Sequence, residues 1–171
     1  MDSRALELLE LPAILERLGF ESIWTGEHVL SKWPGESIAF DCWALSSGLA
    51  PLVPRVGIGL IVLNSTFHNP AMIAKKAATL DEVSGGRFIL GLGAGWNEPE
   101  YRAFGFPFDH RVSRFEEALK IINPLLKEGK VDFQGTYSSA NDGELRPRGP
   151  RPVPHRPSGA RRERGRRDGR R

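Results

Sequence analysis

The stretch Arg87-Phe-Ile-Leu-Gly-Leu-Gly-Ala-Gly-Trp-Asn-Glu-Pro-Glu100 decides how the fold of this chain is interpreted. Its first half is a short apolar run, which is typical of a parallel strand covered on both faces. Its second half places Gly91, Gly93 and Gly95 at alternate positions, where such a strand would end. Loops at the carboxyl ends of parallel strands commonly form ligand sites. The stretch alone leaves two interpretations open: close approach of a ligand, or tight packing against a neighbouring element.

Helical and strand-like patterns alternate on both sides of this stretch. Strands are predicted at 20–25, at 56–63, from 88 onward and at 131–137, the last as a half-exposed strand or hairpin arm. Helices are predicted at 4–18, at 40–49, from 70 to the Gly85-Gly86 break, and from a capping box at Ser113 and Glu116 to Gly129. Such alternation predicts an α/β fold with a parallel sheet, either open or barrel-shaped.

Chain length and composition limit the class of protein to which this chain can belong. A chain of 171 residues is long enough for one domain but short of the roughly 250 that a closed eight-stranded barrel needs. No apolar run of membrane-spanning length and no secretory signal are visible, so we expect no membrane partner. The single cysteine, Cys42, cannot form an internal disulfide and agrees with a cytoplasmic location. Its apolar surroundings favour a buried residue over a nucleophile.

The charge is divided unevenly along the chain. Residues 145–171 hold eleven arginines and two acids, a charge of +9, so residues 1–144 carry −6 within the total of +3. The tail has few aliphatic residues and cannot bury enough apolar surface to offset its ordering entropy, so we expect disorder there. We therefore predict two parts, a folded part at 1–144 and a tail at 145–171.

Three landmarks follow one another in the chain. Residues 18–24 lead to Glu27-His28, the second landmark is Phe67-His-Asn-Pro70, and Gly85-Gly-Arg87 leads to the glycine-rich stretch ending at Glu98. Together they resemble the luciferase-like flavin or deazaflavin oxidoreductases, in particular the branch that uses coenzyme F420. The likeness covers about residues 4–150. It implies a (β/α)8 TIM barrel, of which this chain holds about the first half and is in that sense truncated.

The resemblance also implies the roles of individual residues. His28 matches an imidazole near the reactive ring that acts as proton donor or charge stabiliser, and Glu27 would orient it or contact the cofactor. Trp96 is interpreted as a wall of the substrate pocket, with ordinary packing as the alternative. His68 and His110 are interpreted as loop histidines, and no metal-ligand spacing is present. The cofactor-binding residues that the resemblance implies are Ile61 and Val62, at a strained peptide bond, with Asn64, Gly93, Ala94, Gly95 and Asn97.

The function implied is hydride transfer or oxygen activation on a small-molecule substrate, as an oxidoreductase or monooxygenase that uses F420, with FMN as the alternative. The sequence-based hypothesis adds that activity is impaired because the later barrel units are missing, and that the exposed sheet edge favours a homodimer. A second hypothesis is a non-catalytic fragment whose basic tail binds nucleic acid or another polyanion. Nucleic acid is disfavoured because no aromatic residue is interleaved in the tail. A frameshift is the hypothesis for the origin of the tail.

Overall fold

The structure is a computed structural model that describes residues 3–30 and 38–148. Helices and strands alternate through most of this range. The helices are α1 (Ser3–Arg17), α2 (Cys42–Leu49), α3 (Pro70–Ser84), α4 (Glu98–Phe104) and α5 (Arg111–Glu128), with a 3-10 turn at Ser65–Phe67. The strands are β1 (Ser22–Thr25), β2 (Gly57–Asn64), β3 (Phe88–Gly93), β4 (Lys130–Gln134) and β5 (Ser139–Glu144).

The first three strands form one parallel sheet in the order β1-β2-β3. The register pairs Ile23 with Ile58, and Ile58 with Phe88. This confirms the predicted parallel α/β arrangement. Since the strands are parallel, their carboxyl ends meet at one edge of the sheet, and the loops that follow them lie side by side.

The two faces of the sheet differ in how they are covered. Ile58, Leu60 and Phe88 are buried on the face that packs against the helices, together with Trp43 and Ile73. Such a face contributes most of the hydrophobic stabilisation of an α/β unit.

The other face carries Trp24, whose ring covers Gly59 and leaves no room there for a Cβ atom. Beside it Ile61 and Val62 are 62% and 44% exposed. Exposed β-branched residues in the middle of a parallel strand are unusual, because both faces of such a strand are normally covered.

The last two strands form a separate antiparallel hairpin, β4-β5. The hairpin arm expected at 131–137 is confirmed, while the parallel sheet of the described residues ends at β3. Val131 packs with Ile121, Leu125 and Leu145 in a second apolar cluster between α3, α5 and the hairpin. Leu145, the first residue of the expected tail, is therefore buried in this cluster, and residues 149–171 lie outside the described residues.

The prediction of a capping box at Ser113 and Glu116 is wrong. Helix α5 begins at Arg111, so both residues lie inside it, and its N-cap is His110 with a left-handed φ of 51°. The Arg111 side chain donates to the carbonyl oxygen of Gly95 at 2.7 Å. A long-range contact therefore anchors the first turn, which a local pattern cannot show. Two short elements, α4 and β5, were also absent from the prediction.

The carboxylate of Glu117 on α5 holds the hairpin loop. It accepts hydrogen bonds from the backbone N–H groups of Thr136, Tyr137 and Ser138 at 2.9, 2.7 and 3.0 Å. Desolvation raises the pKa of Glu117, but these three bonds outweigh it, so the pKa lies below the ordinary 4.5. Its contribution to stability is therefore present above pH 4.5 and is lost as pH falls through the lowered pKa.

We expect the NMR shifts of the Thr136, Tyr137 and Ser138 amide protons to titrate together with a midpoint below 4.5. Glu117→Gln should abolish that transition and increase amide exchange in the loop, because a neutral amide is a weaker acceptor than a carboxylate. Glu116 is the neighbouring exposed glutamate, and Glu116→Gln should leave the titration of these amide shifts unchanged. A midpoint at or above 4.5 would contradict this interpretation.

Candidate functional site

The loops that follow β1, β2 and β3 meet at the carboxyl edge of the sheet. Glu27, just beyond β1, accepts the backbone N–H of Asn64 at the end of β2, at 2.7 Å from Oε2. Ser65 Oγ donates to the carbonyl oxygen of Gly93 at the end of β3, at 3.1 Å. The structure therefore brings together residues that are separated by up to 66 positions in the sequence, as a parallel sheet requires.

His28 is oriented by Glu100, a residue of α4. Its Nδ1 lies 3.0 Å from Oε1 and 3.2 Å from Oε2 of Glu100. The same Oε1 accepts the backbone N–H groups of Val29 at 2.9 Å and Leu30 at 3.2 Å. The Glu100 side chain is 3% exposed, while the His28 side chain is 34% exposed. Glu27 was expected to orient His28 or to contact the cofactor; the carboxylate that contacts His28 is that of Glu100, and the contact of Glu27 with a cofactor stays a prediction.

The charge state of Glu100 follows from these contacts. Burial raises the pKa of Glu100, because the charged form loses hydration. Hydrogen bonds from the N–H of Leu30, the Asn97 side chain, His28 and the N–H of Val29 lower it by more, so the pKa falls below 4.5. Glu100 is therefore an ionised acceptor at neutral pH.

Glu27 makes a second carboxylate–imidazole pair. Its Oε1 lies 2.7 Å from Nε2 of His68, and its Oε2 holds the Asn64 N–H described above. His68 lies in the loop after β2, as interpreted from the sequence, and this contact joins it to the residues of the candidate site. Cys42 Sγ lies 3.9 Å from Oε1 of Glu27. Burial, followed by the negative charges of Glu27 and Asp41, raises the pKa of the Cys42 thiol to about 12, so this buried thiol is not a nucleophile at neutral pH.

Tyr101 ties the loop after β2 to the loop after β3. Its hydroxyl lies 2.8 Å from Asn64 Nδ2, 2.6 Å from Thr66 Oγ1 and 3.0 Å from the carbonyl oxygen of Ala94. Its ring packs against Phe67 at 4.8 Å between centroids. The Asn64 side chain also accepts from the N–H and the hydroxyl of Thr66. Asn64, predicted to contact a cofactor, is buried and supports the loop; the direct contact stays a prediction.

The glycine-rich loop after β3 is held from several sides. A Cβ atom at Gly93 would lie 2.7 Å from Val62 Cγ2, and one at Gly95, where φ is +70°, would overlap Tyr101 and Asn64. The end of β3 and the residues after it therefore pass so close to β2 that a side chain at either position would force its neighbours to move. The aromatic ring of Trp96 meets that of His28 edge-on, with centroids 6.3 Å apart.

An apolar wall lies next to these polar groups. It consists of Ile61 and Val62 on the uncovered face of β2, and the peptide bond between them is cis. This is the backbone geometry that the resemblance implies at this position. The predicted contact of these residues with a cofactor stays a prediction.

Sequence reasoning missed Glu100, Tyr101, His68 and Arg111. Glu100 is the last residue of the stretch 87–100 and Tyr101 follows it, and a carboxylate and a phenol beside a proposed strand-end loop were a usable signal. The signal for His68 was its place after β2. Arg111 had none, because its bond to Gly95 depends on the path of the chain through α4.

Comparisons with known proteins agree with this architecture. A family model described as luciferase-like monooxygenase matches residues 3–167. An F420-dependent glucose-6-phosphate dehydrogenase of Amycolatopsis mediterranei is 36% identical over 154 residues, which is 86% of this chain and 46% of that protein. The chain spans less than half the length of such relatives.

Two solved structures are similar to this one. The monooxygenase RslO1 from Streptomyces bottropensis superposes with a TM-score of 0.77 at 30% identity, over 86% of this chain and 45% of that one. An F420-dependent secondary alcohol dehydrogenase, solved with an F420-acetone adduct, superposes with a TM-score of 0.79 at 25% identity. The superposition covers 88% of this chain and 47% of that one.

Proposed function

This chain belongs to the luciferase-like monooxygenase family, and from that membership we propose that the carboxyl edge of its sheet is part of the cofactor site of an oxidoreductase. We propose F420 as the cofactor, with FMN as the alternative, and a small organic molecule as the substrate. The observation that carries the proposal is the convergence of three strand-end loops at the carboxyl edge of the sheet, where they hold the His28–Glu100 and Glu27–His68 pairs and where Ile61 and Val62 are exposed.

The residues present fit a flavin-type group. A flat ring system needs an apolar surface against one face and polar groups at its edge. Ile61 and Val62 offer the apolar surface, and the loop of Gly93, Ala94 and Gly95 carries no large side chain that would keep a ligand from its backbone. Trp96, beside His28, would close the substrate side. The Asn97 side chain lowers the pKa of Glu100 through a hydrogen bond, and its direct contact with a cofactor stays a prediction.

Such a cofactor supplies hydride transfer when bound, and the chain's own residues position it and handle protons. His28 is the group suited to hold or move a proton, because a neutral imidazole has one nitrogen that donates and one that accepts. Glu100 holds its ring, and Tyr101 and Asn64 hold the loops on which the site is built. The names of the relatives, which include F420-dependent enzymes, support F420 as the cofactor.

The test is a titration of the purified chain with F420 and, separately, with FMN, followed by the absorbance and fluorescence of the cofactor. We expect a saturable spectral change with one of them. Val62→Asp should weaken it at least about tenfold, or about 1.4 kcal/mol, because a charge would replace part of the apolar wall. Val83→Asp is the matched control, since Val83 is as exposed but lies at the end of α3 that precedes β3.

Two results would reject the proposal. One is the absence of a spectral change with either cofactor. The other is an equal loss of binding in Val62→Asp and Val83→Asp, which would mean that the change does not arise at the carboxyl edge of the sheet.

A further inference from the structure

We propose that Glu100 is the positioning residue of His28 and holds its imidazole in the tautomer with the proton on Nδ1, so that Nε2 is the nitrogen that exchanges a proton with a bound ligand. The ligand and its chemistry rest on the function proposed above. The tautomer rests on the chain's own contacts and can be measured without any cofactor.

The hydrogen-bond donors around Glu100 determine where the proton lies. An ionised carboxylate can only accept, and the backbone N–H groups of Val29 and Leu30 can only donate. The 3.0 Å approach of His28 Nδ1 to Oε1 is therefore a hydrogen bond only when Nδ1 carries a proton. In the neutral ring, Nε2 is then left with its lone pair.

The carboxylate is also fixed in position. Glu100 is buried, the Asn97 side chain bonds to it, and two consecutive backbone N–H groups hold one of its oxygens. The ring of Trp96 meets the His28 imidazole edge-on, with centroids 6.3 Å apart. A buried acceptor with several partners restrains an imidazole more than an exposed one, because it cannot rotate away without leaving donors unpaired.

The other nearby carboxylate is committed elsewhere. Both oxygens of Glu27 are used, one by His68 Nε2 at 2.7 Å and one by the Asn64 N–H at 2.7 Å. Glu27 contacts Nε2 of His68, whereas Glu100 contacts Nδ1 of His28. The same reasoning therefore predicts the Nε2–H tautomer for His68. The site thus contains two histidines whose neutral tautomers should be opposite.

The consequence for proton transfer follows directly. When a ligand X–H gives its proton to His28, an Nε2–H bond forms, the X–H bond breaks, and the electron pair stays on X. The resulting imidazolium is stabilised by the Glu100 carboxylate at its other nitrogen. Nδ1 cannot serve in this way, because it already donates to Glu100.

The experiment is two-dimensional NMR of the ¹⁵N-labelled chain without cofactor, at a pH about two units above the ordinary histidine pKa of about 6.5. Correlations from the ring protons distinguish protonated from unprotonated nitrogens, and His28→Asn and His68→Asn assign the signals. We expect His28 to favour the Nδ1–H form and His68 the Nε2–H form, each by about tenfold, as a charge-assisted bond implies.

Two matched variants complete the test. Glu100→Gln should shift His28 towards a mixture of tautomers and leave His68 unchanged. Glu27→Gln should shift His68 towards a mixture of tautomers and leave His28 unchanged. An Nε2–H form of His28 in the unmodified chain overturns the proposal, even if a variant fails to fold. A His28 signal that does not respond in folded Glu100→Gln also overturns it. Failure of the cofactor titration would instead reject the proposed function and leave the tautomer assignment standing.

Discussion

Gly91→Ala is expected to destabilise the protein by about 3 kcal/mol, the upper end of the usual range for overpacking, because the new methyl group has no space. A Cβ atom at Gly91 would overlap the carbonyl oxygen of Leu60 on the neighbouring strand. That oxygen belongs to the backbone of β2, where the register shifts between Leu60 and Leu63. It cannot move without disturbing the pairing of β2 with β3.

Urea unfolding followed by circular dichroism measures this loss, which corresponds to a fall in Tm of roughly 10 °C for a chain of this size. Gly48→Ala is the matched control. Gly48 lies in α2, and a Cβ atom there would meet nothing within 4 Å. The same chemical change should therefore stabilise the protein by about 0.5 kcal/mol, because alanine favours a helix over glycine. Equal effects at the two positions would contradict the close approach of β3 to β2.

Tyr101→Phe has the second-largest expected effect, a loss of about 2 kcal/mol of unfolding free energy. The hydroxyl is buried and bonds to Asn64, Thr66 and the carbonyl oxygen of Ala94. Removal of it keeps the ring packing against Phe67 but takes the hydrogen-bond partner from the buried Asn64 side-chain NH2 and from the half-buried carbonyl oxygen of Ala94. Since those groups belong to the loops after β2 and β3, we also expect faster amide exchange at Thr66 and in residues 94–97.

The chain's other tyrosine provides the control. Tyr137 packs its ring against His110 and Arg114, and its hydroxyl makes no hydrogen bond to another residue in 3–30 or 38–148. Tyr137→Phe should change the unfolding free energy by less than about 0.5 kcal/mol. If Tyr101→Phe were as mild, Tyr101 would not be the link between the two loops.

Much of the fold could be predicted because the patterns involved are local. A few neighbouring residues are enough to predict each of these elements. Examples are the apolar run of β3, the near-continuous apolar run of β2 and the Asn69-Pro70 start of α3. Their alternation then implies a parallel sheet, and such a sheet implies one edge where the site lies. The strand-end loops were predicted in this way, whereas the roles of His28, Ile61, Val62 and Gly93–Gly95 were implied by the family resemblance and stay predictions.

The missed features depend on residues far apart in the chain. Helix α4 has only seven residues, too few for a periodic pattern, yet it carries Glu100 to His28, 72 positions away. The start of α5 is likewise anchored by the bond of Arg111 to Gly95, and a more familiar capping signal inside the helix is unused. Local propensity is weak compared with such tertiary contacts.

The sequence by itself determined the parallel α/β class, the edge of the sheet where the candidate site lies, and the alternate glycines where β3 ends. Those features follow from side-chain volume and hydrophobic periodicity, which each segment carries alone. Only the tertiary structure decided which carboxylate meets which imidazole, Glu100 with His28 and Glu27 with His68. The reason is physical: a hydrogen bond requires two groups within about 3 Å, and only the packing of α4 and the loops against the sheet sets that distance.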